Sequence, residues 1–331
     1  MNSRTWTFFL LFFTALSHAD TMYIGTFSSV VKFDTSGQSS VFAPAFQGGA
    51  HSGPLGLAVD SSGNLFAAHT WDGTGGGRIF KLDPSGNISV FASGLSSPTV
   101  LAMDKSRNIY AATDVGSPAG GSFILKYDPA GNSSIFASGL SGVDGFAFDK
   151  DDNLFAAQGN TIFKFNPNGQ QSVFATGLGG IYGLAFDASG QLYAGQRSGN
   201  AILKFSSNGS FSVFNTVSLS TFGQSRGVMG LAFDHSGDIY ASFLLSNLPG
   251  GGTVLKFDST GQPSLFASGL DRPGYIAVVP EPSVGVFFFV TVFSFLALFC
   301  KNKYLLLLQH EIVASVCHSQ NVGEYLFHRH K

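Results

Sequence analysis

The sequence predicts an all-β fold, a six-bladed β-propeller, and three observations carry that prediction. The first is a repeat, most legible as Gly183-Leu-Ala-Phe-Asp-Ala-Ser-Gly-Gln-Leu-Tyr-Ala-Gly195, then Ile202-Leu-Lys-Phe205, then Ser212-Val-Phe214. Copies of its Leu-Phe or Ile-Tyr element begin at Met22, Leu65, Ile109, Leu154, Leu192 and Ile239, spaced 38 to 47 residues apart. Repeats of that period built from short strands make blades around an axis. The second is turn chemistry. Asp60-Ser-Ser-Gly63, Asp187-Ala-Ser-Gly190 and Asp234-His-Ser-Gly237 sit between the first and second strands of their repeats. Asp34-Thr-Ser-Gly37, Asp83-Pro-Ser-Gly86, Asp128-Pro-Ala-Gly131 and Asp258-Ser-Thr-Gly261 sit between the third and fourth. A side-chain acceptor followed by Gly at positive φ is what a short hairpin needs, so these aspartates read as structural.

The third observation is phase. The regular part of the chain begins at a second strand, Met22 to Thr26, runs through Val30 to Phe33 and Ser40 to Ala43, and reaches its first innermost strand only at Leu57. Its last repeat supplies one innermost strand, Tyr275 to Val278, and stops. That strand has a place only in the blade left open at the start, so both ends of the domain join in one blade and remove two free sheet edges. Within each repeat the strands follow in order. Leu57-Ala-Val59 is apolar throughout and innermost, Leu65-Phe-Ala-Ala68 follows a tight turn, Ile79-Phe-Lys-Leu82 alternates, and Ser89-Val-Phe-Ala92 is edge-like.

The propeller occupies residues 20–279 of 331, and distinct segments flank it. Residues 1–19 read as a signal peptide: a basic start to Arg4, an apolar run from Thr5 to Leu16, and Ser17-His18-Ala19 as the cleavage site. Residues 284–300 form an uncharged apolar run of 17 residues, followed by Lys301 and Lys303. At about 1.5 Å per residue a helix of that length covers about 25 Å, enough to span a locally thinned bilayer. The basic pair gives its cytoplasmic flank. Residues 304–331 form a tail with four of the eight histidines. Both cysteines, Cys300 and Cys317, fall outside the repeats, so the propeller is expected to hold by packing and closure without disulfides.

Charged residues make up 11% of the chain, with 18 basic against 20 acidic, which excludes the clustered positive surface of a nucleic-acid binder. Propeller geometry sends the tight turns to one face and the longer loops, such as Pro44 to Pro54 and His69 to Arg78, to the other. A site belongs on the loop-rich face. Candidate binding residues there are His51, His69, Trp71, Asp72, Asp144, Tyr182, Arg226 and Arg272, joined by Asp114, Gln158, Gln196 and Asp271. Together they would give a mixed aromatic, amide and ionic rim suited to a carbohydrate or peptide; as a plain solvated loop surface they would bind nothing. The residues preceding the innermost-strand glycine face the axis and read Leu55, Thr99, Asp144, Tyr182, Met229 and Gly274. One carboxylate cannot supply the several oxygens a hard cation requires, so no metal, cofactor or catalytic residue is expected there.

Three local patterns mislead. Asp149-Lys-Asp-Asp-Asn153 starts like a calcium loop but has Leu154 and Asn160 where such a loop needs Gly and Glu, and reads as a hairpin turn. Gly75-Gly-Gly77 and Gly250-Gly-Gly252 lead into strands and not phosphate-binding helices. Asn87-Ile-Ser, Asn132-Ser-Ser and Asn208-Gly-Ser match the glycosylation pattern, but two occupy one turn position and all three read as turns.

The Gly-Leu-Ala-Phe-Asp-x-x-Gly-x-Leu-Tyr-Ala repeat with Ile-x-Lys-Phe resembles NHL-repeat propellers and the related gluconolactonase-like and streptogramin-lyase-like propellers. Val279-Pro280-Glu281-Pro282, the apolar run and the basic pair resemble a PEP-CTERM sorting signal. That resemblance implies an exosortase-type processing enzyme as partner, Pro280, Glu281 and Pro282 as its motif, and a final location at the cell surface or outside the cell. The expectation from sequence is therefore an exported, non-catalytic binding or scaffold propeller. The alternative is a metal-dependent lactonase or lyase with Asp144 and a histidine at its centre.

Overall fold

The computed structural model describes residues 20–34, 37–44, 54–70, 76–113, 122–217, 225–245 and 251–279. The chain divides into two units, Met1–Glu281 and Pro282–Lys331. The first holds the whole propeller. The segments read as signal peptide, sorting motif, apolar run and tail lie outside the described residues. Among the described residues, no helix is long and apolar enough to cross a membrane.

Six four-stranded antiparallel sheets make the blades. Blade one is assembled from both ends of the domain. β1 (Thr21–Gly25) pairs with β2 (Val30–Phe33), which pairs with β3 (Ser39–Ala43), while β24 (Ile276–Val279) lies on the inner side of β1. Thr21 is opposite Val279 and Ile24 opposite Ile276. The closure anticipated from the phase of the repeat is the closure observed. Blades two to six then run in chain order, each from its innermost to its outermost strand, over Pro54–Leu95, Pro98–Leu140, Gly145–Ala175, Ile181–Thr216 and Ser225–Leu270.

The turns also follow the sequence. In the hairpin at Asp60, Oδ1 accepts the amides of Ser62 (2.9 Å) and Asn64 (2.8 Å), while Oδ2 accepts the side-chain amide of Asn64 (2.7 Å). The same clasp recurs at Asp83 with Asn87, Asp128 with Asn132 and Asp149 with Asn153. The calcium-loop and glycosylation look-alikes are thus turn residues. These bonds favour the ionised carboxylate: the side-chain and then the backbone amides of Asn87 and Asn132 hold Asp83 and Asp128 below the ordinary 3.8, and the Thr260 hydroxyl, then the Gln262 amide, do the same for Asp258.

What locks neighbouring strands together is a sixfold aromatic belt. In every blade the aromatic residue of the second strand meets the Phe of the fourth: Tyr23–Phe42, Phe66–Phe91, Tyr110–Phe136, Phe155–Phe174, Tyr193–Phe214 and Tyr240–Phe266. Their ring centroids lie 4.7 to 5.3 Å apart. The Lys of each Ile-x-Lys-Phe or equivalent third strand lies over the same aromatic, its Nζ 5.2 to 5.9 Å from the centroid. Each Phe is the extra residue of a β-bulge, as where Val30 faces Ala43 but Val31 faces Val41. A bulge twists the strand and re-aims a side chain, which is how an edge-strand Phe turns into the stack. In blades three to five the stack continues into the next blade through Tyr110–Phe148, Phe155–Phe186 and Tyr193–Phe233. Such aromatic pairs contribute roughly 0.5–1.5 kcal/mol each beyond their burial.

Towards the axis the blades touch through backbone. A Cβ placed on Gly145 would lie 1.8 Å from the carbonyl oxygen of Tyr182 in the next blade, and one on Gly230 would lie 2.5 Å from that of Gly274. Glycine is required there by close approach, and the axial residues are set side by side as a result.

Candidate functional site at the axial mouth

In blades two to six each innermost strand begins at the loop-rich face and ends at an Asp turn, so the residues at its start ring the mouth of the axis. Asp144 immediately precedes β12 (Gly145–Phe148), and its amide donates to the carbonyl of Ala157 (2.9 Å). Its own carbonyl accepts a hydrogen bond from the phenol of Tyr275, which reaches it from blade one, on the opposite side of the ring. The Tyr275 phenol is driven well above its ordinary value of 10, first by burial and then by Asp144 and Tyr182. Both carboxylate and second phenol therefore lie within electrostatic reach of it. Tyr182, in β16 (Ile181–Phe186), carries the guanidinium of Arg197 over its ring at 5.3 Å, and Arg197 is solvent-exposed. Thr99, in β8 (Pro98–Met103), makes a long contact from Oγ1 to the carbonyl of Val143 (3.4 Å).

The result is a polar patch on the axis: a carboxylate, two phenols, a hydroxyl and a guanidinium, contributed by blades one, three, four and five. It can accept a proton, hold an anion and stack a ring. A divalent metal of the kind the lactonase resemblance implies would find one carboxylate among these residues. No group of three His, Cys, Asp or Glu side chains comes together among the described residues. That donor set does not fit a hard cation.

The other candidates disperse. His69, at the end of β5 (Leu65–His69), is fully buried with its ring edge-on to Phe80 at 5.9 Å, in the blade interior and away from the solvated rim. Arg272 is exposed at the last loop of the mouth, with its guanidinium 4.6 Å over Phe27. Gln158 and Gln196 tie loops down, the first through Ser141 (2.9 and 3.2 Å) and the second through the Leu178 carbonyl (2.6 Å). Trp71, Asp72, His51 and Asp114 lie outside the described residues. Arg226 lies in β20 (Ser225–Phe233), its side chain undescribed.

Sequence reasoning missed Tyr275 and Arg197. Gly274 keeps the axial position of blade one, but the next residue, Tyr275, which aligns by Ala277 with Gly183 and Gly145, sends its side chain across the ring from the glycine position. Arg197 carried no motif at all.

The fold defines a class, the six-bladed β-propeller, and in this chain an acid and two phenols meet at its axial mouth. Residues 12–176 match the family described as SMP-30/Gluconolactonase/LRE-like region. Over that stretch the chain is similar to that family. A search of curated proteins finds no match.

Solved structures share the fold at low identity. A Bacteroides caccae protein of unknown function is 14% identical with a TM-score of 0.60, over 80% of this chain and all of that one. A gluconolactonase from Xanthomonas campestris is 18% identical with a TM-score of 0.52, over 68% of this chain and 83% of its own. Virginiamycin B lyase from Staphylococcus aureus is 14% identical with a TM-score of 0.51, over 72% and 76%. The expectation of a non-catalytic scaffold is corrected by the family match. Its physical basis was a ring read as one carboxylate among mostly apolar residues. With Tyr275 and Arg197 added, that ring is polar where the acid sits.

Proposed function

We propose that this protein is a hydrolase or lyase of the gluconolactonase-like propeller class, opening a lactone or related cyclic ester at the axial mouth. The observation that supports it most is the placement of Asp144, an acid whose backbone is held by blades four and one at the axial mouth, in a chain whose residues 12–176 match the gluconolactonase-like family. In the hydrolytic form, Asp144 takes a proton from water as the water oxygen bonds to the ester carbonyl carbon. The ring C–O bond then breaks, and the proton returns from Asp144 to the departing alkoxide. One water is consumed and a hydroxy acid leaves. Arg197 and the Tyr182 phenol supply positive charge and a donor for the carbonyl oxygen as it becomes anionic.

The test is turnover of a panel of sugar lactones and cyclic depsipeptides by the full chain and by Asp144→Asn. Loss of kcat by about a hundredfold or more, with folding intact, is expected for a general base. Wild-type rates in that variant would overturn the assignment.

The export signal at residues 1–19 and the Pro280-Glu281-Pro282 motif, with Lys301 and Lys303, support a location at the cell surface or beyond, after processing by an exosortase-type enzyme. Peptide mapping of the surface-located protein is then expected to recover nothing beyond about Ser283. Recovery of the His328 region there would rule the sorting out.

A further inference from the structure

The axial glycine position is filled by Gly56, Gly145, Gly183 and Gly230 in four blades and by Val100 in a fifth; only the closing blade places a tyrosine there, Tyr275. The choice has structural support on every side. The Tyr275 carbonyl accepts the amide of Gly25 (3.1 Å), and the Gly274 amide donates to the Gly25 carbonyl (2.8 Å). The Gly274 carbonyl accepts the hydroxyl of Ser242 (2.6 Å), a fully buried side chain of blade six whose Oγ also accepts the amide of Gly230 (2.9 Å). The backbone that presents Tyr275 is therefore held by blades one and six together. Its side chain crosses the axis and packs against the core cluster of blades three and four that includes Val100, Val143 and Phe146. There its hydroxyl donates to the Asp144 carbonyl.

Asp144 is consequently clamped at both ends of its residue. Ala157 holds the amide from within blade four, and Tyr275 holds the carbonyl from across the ring. A clamp on the main chain fixes where the carboxylate starts from, and misplacement of a reacting group by about 1 Å costs on the order of a hundredfold in rate.

We propose that Tyr275 is a positioning residue for Asp144, so that the site is completed only when the closing strand β24 docks on β1. The proposal rests on the reading of Asp144 as the acid–base group.

The test uses the full chain with Tyr275→Phe, which keeps the ring in the axis and removes only the hydroxyl, alongside Asp144→Asn. Tyr275→Phe is expected to lower kcat about tenfold or more on the lactone the wild type turns over best, with KM within about twofold and a displaced acid limb of the pH–rate profile. A merely structural role would alter the melting temperature and leave the limb in place. Wild-type kcat and pH profile in Tyr275→Phe, with Asp144→Asn inactive, would overturn the clamp and leave the lactonase reading standing.

If Asp144→Asn keeps full activity, or no lactone is opened, the lactonase reading fails and the clamp is judged by alkaline titration of phenolate absorbance. The tyrosine missing from Tyr275→Phe is then expected to ionise only as the wild type unfolds. A Tyr275 that ionises in the folded protein near the ordinary value of about 10 overturns the proposal.

Discussion

The aromatic belt and the axial mouth are built on the same 24 strands, yet they use repetition in opposite ways. Around the belt every blade repeats an aromatic residue, a Lys above it and a bulged Phe beside it, with distances that agree to within an ångström. At the mouth the corresponding positions read Leu55, Thr99, Asp144, Tyr182, Met229 and Gly274, and no two agree. A repeated contact is a requirement each blade meets separately, which is what stability demands of a ring of similar units. A site needs different groups converging on one point. Sixfold positions thus carry the fold and singular ones carry the chemistry, and the two can be separated by mutation.

The sharpest separation is expected from Phe155→Ala. Phe155 is almost fully buried, stacks on Phe174 and reaches Phe186 of the next blade. Its truncation should cost about 3–5 kcal/mol in urea unfolding while leaving kcat per folded molecule unchanged. A changed kcat would break the division between belt and mouth.

A smaller effect is expected one layer out, from Lys164→Met. The ammonium sits 5.2 Å from the Phe155 centroid and 3.6 Å from Asp149, on a side chain 38% exposed, so solvent screens both interactions. The loss should stay under about 1 kcal/mol. A larger cost would mean that the cations, as well as the rings, hold the belt.

Per site the smallest effect belongs to acid. Asp83, Asp128 and Asp258 have folded values below 3.8, so their contribution is complete above the unfolded value and fades as pH falls through the folded one. Melting temperature should be flat near neutrality and decline below about pH 4. Asp83→Asn should flatten that decline slightly without moving the pH profile of activity.

How much of this could be read from the chain follows the same division. The closing blade was legible because a strand order that starts at its second member and ends on a lone first member has one solution. The Asp turns were legible because their geometry is local, set within five residues. The belt was half legible: Ile-x-Lys-Phe and Ser-Val-Phe stood out as motifs, but the bulge that brings Phe onto the second-strand aromatic is a property of paired strands. His69 was misplaced because β5 runs to the residue itself, which turns a supposed loop histidine inward. Tyr275 was hidden because its meaning depends on the residue facing it across the ring, 131 positions earlier in the chain.

The seam has a mechanical consequence. Thr21 and Val279 face each other at the same end of an antiparallel pair, so tension applied between these two residues loads the β1–β24 hydrogen bonds one after another and not all at once. Opened that way the ring behaves as a zipper that parts first at Thr21 and Val279, and the last bonds to go, those between Gly25 and Gly274–Tyr275, are the ones coupled through Tyr275 to the acid at the axis. Stretching between engineered handles at 20 and 279 should register this as a low opening force that precedes loss of the blades.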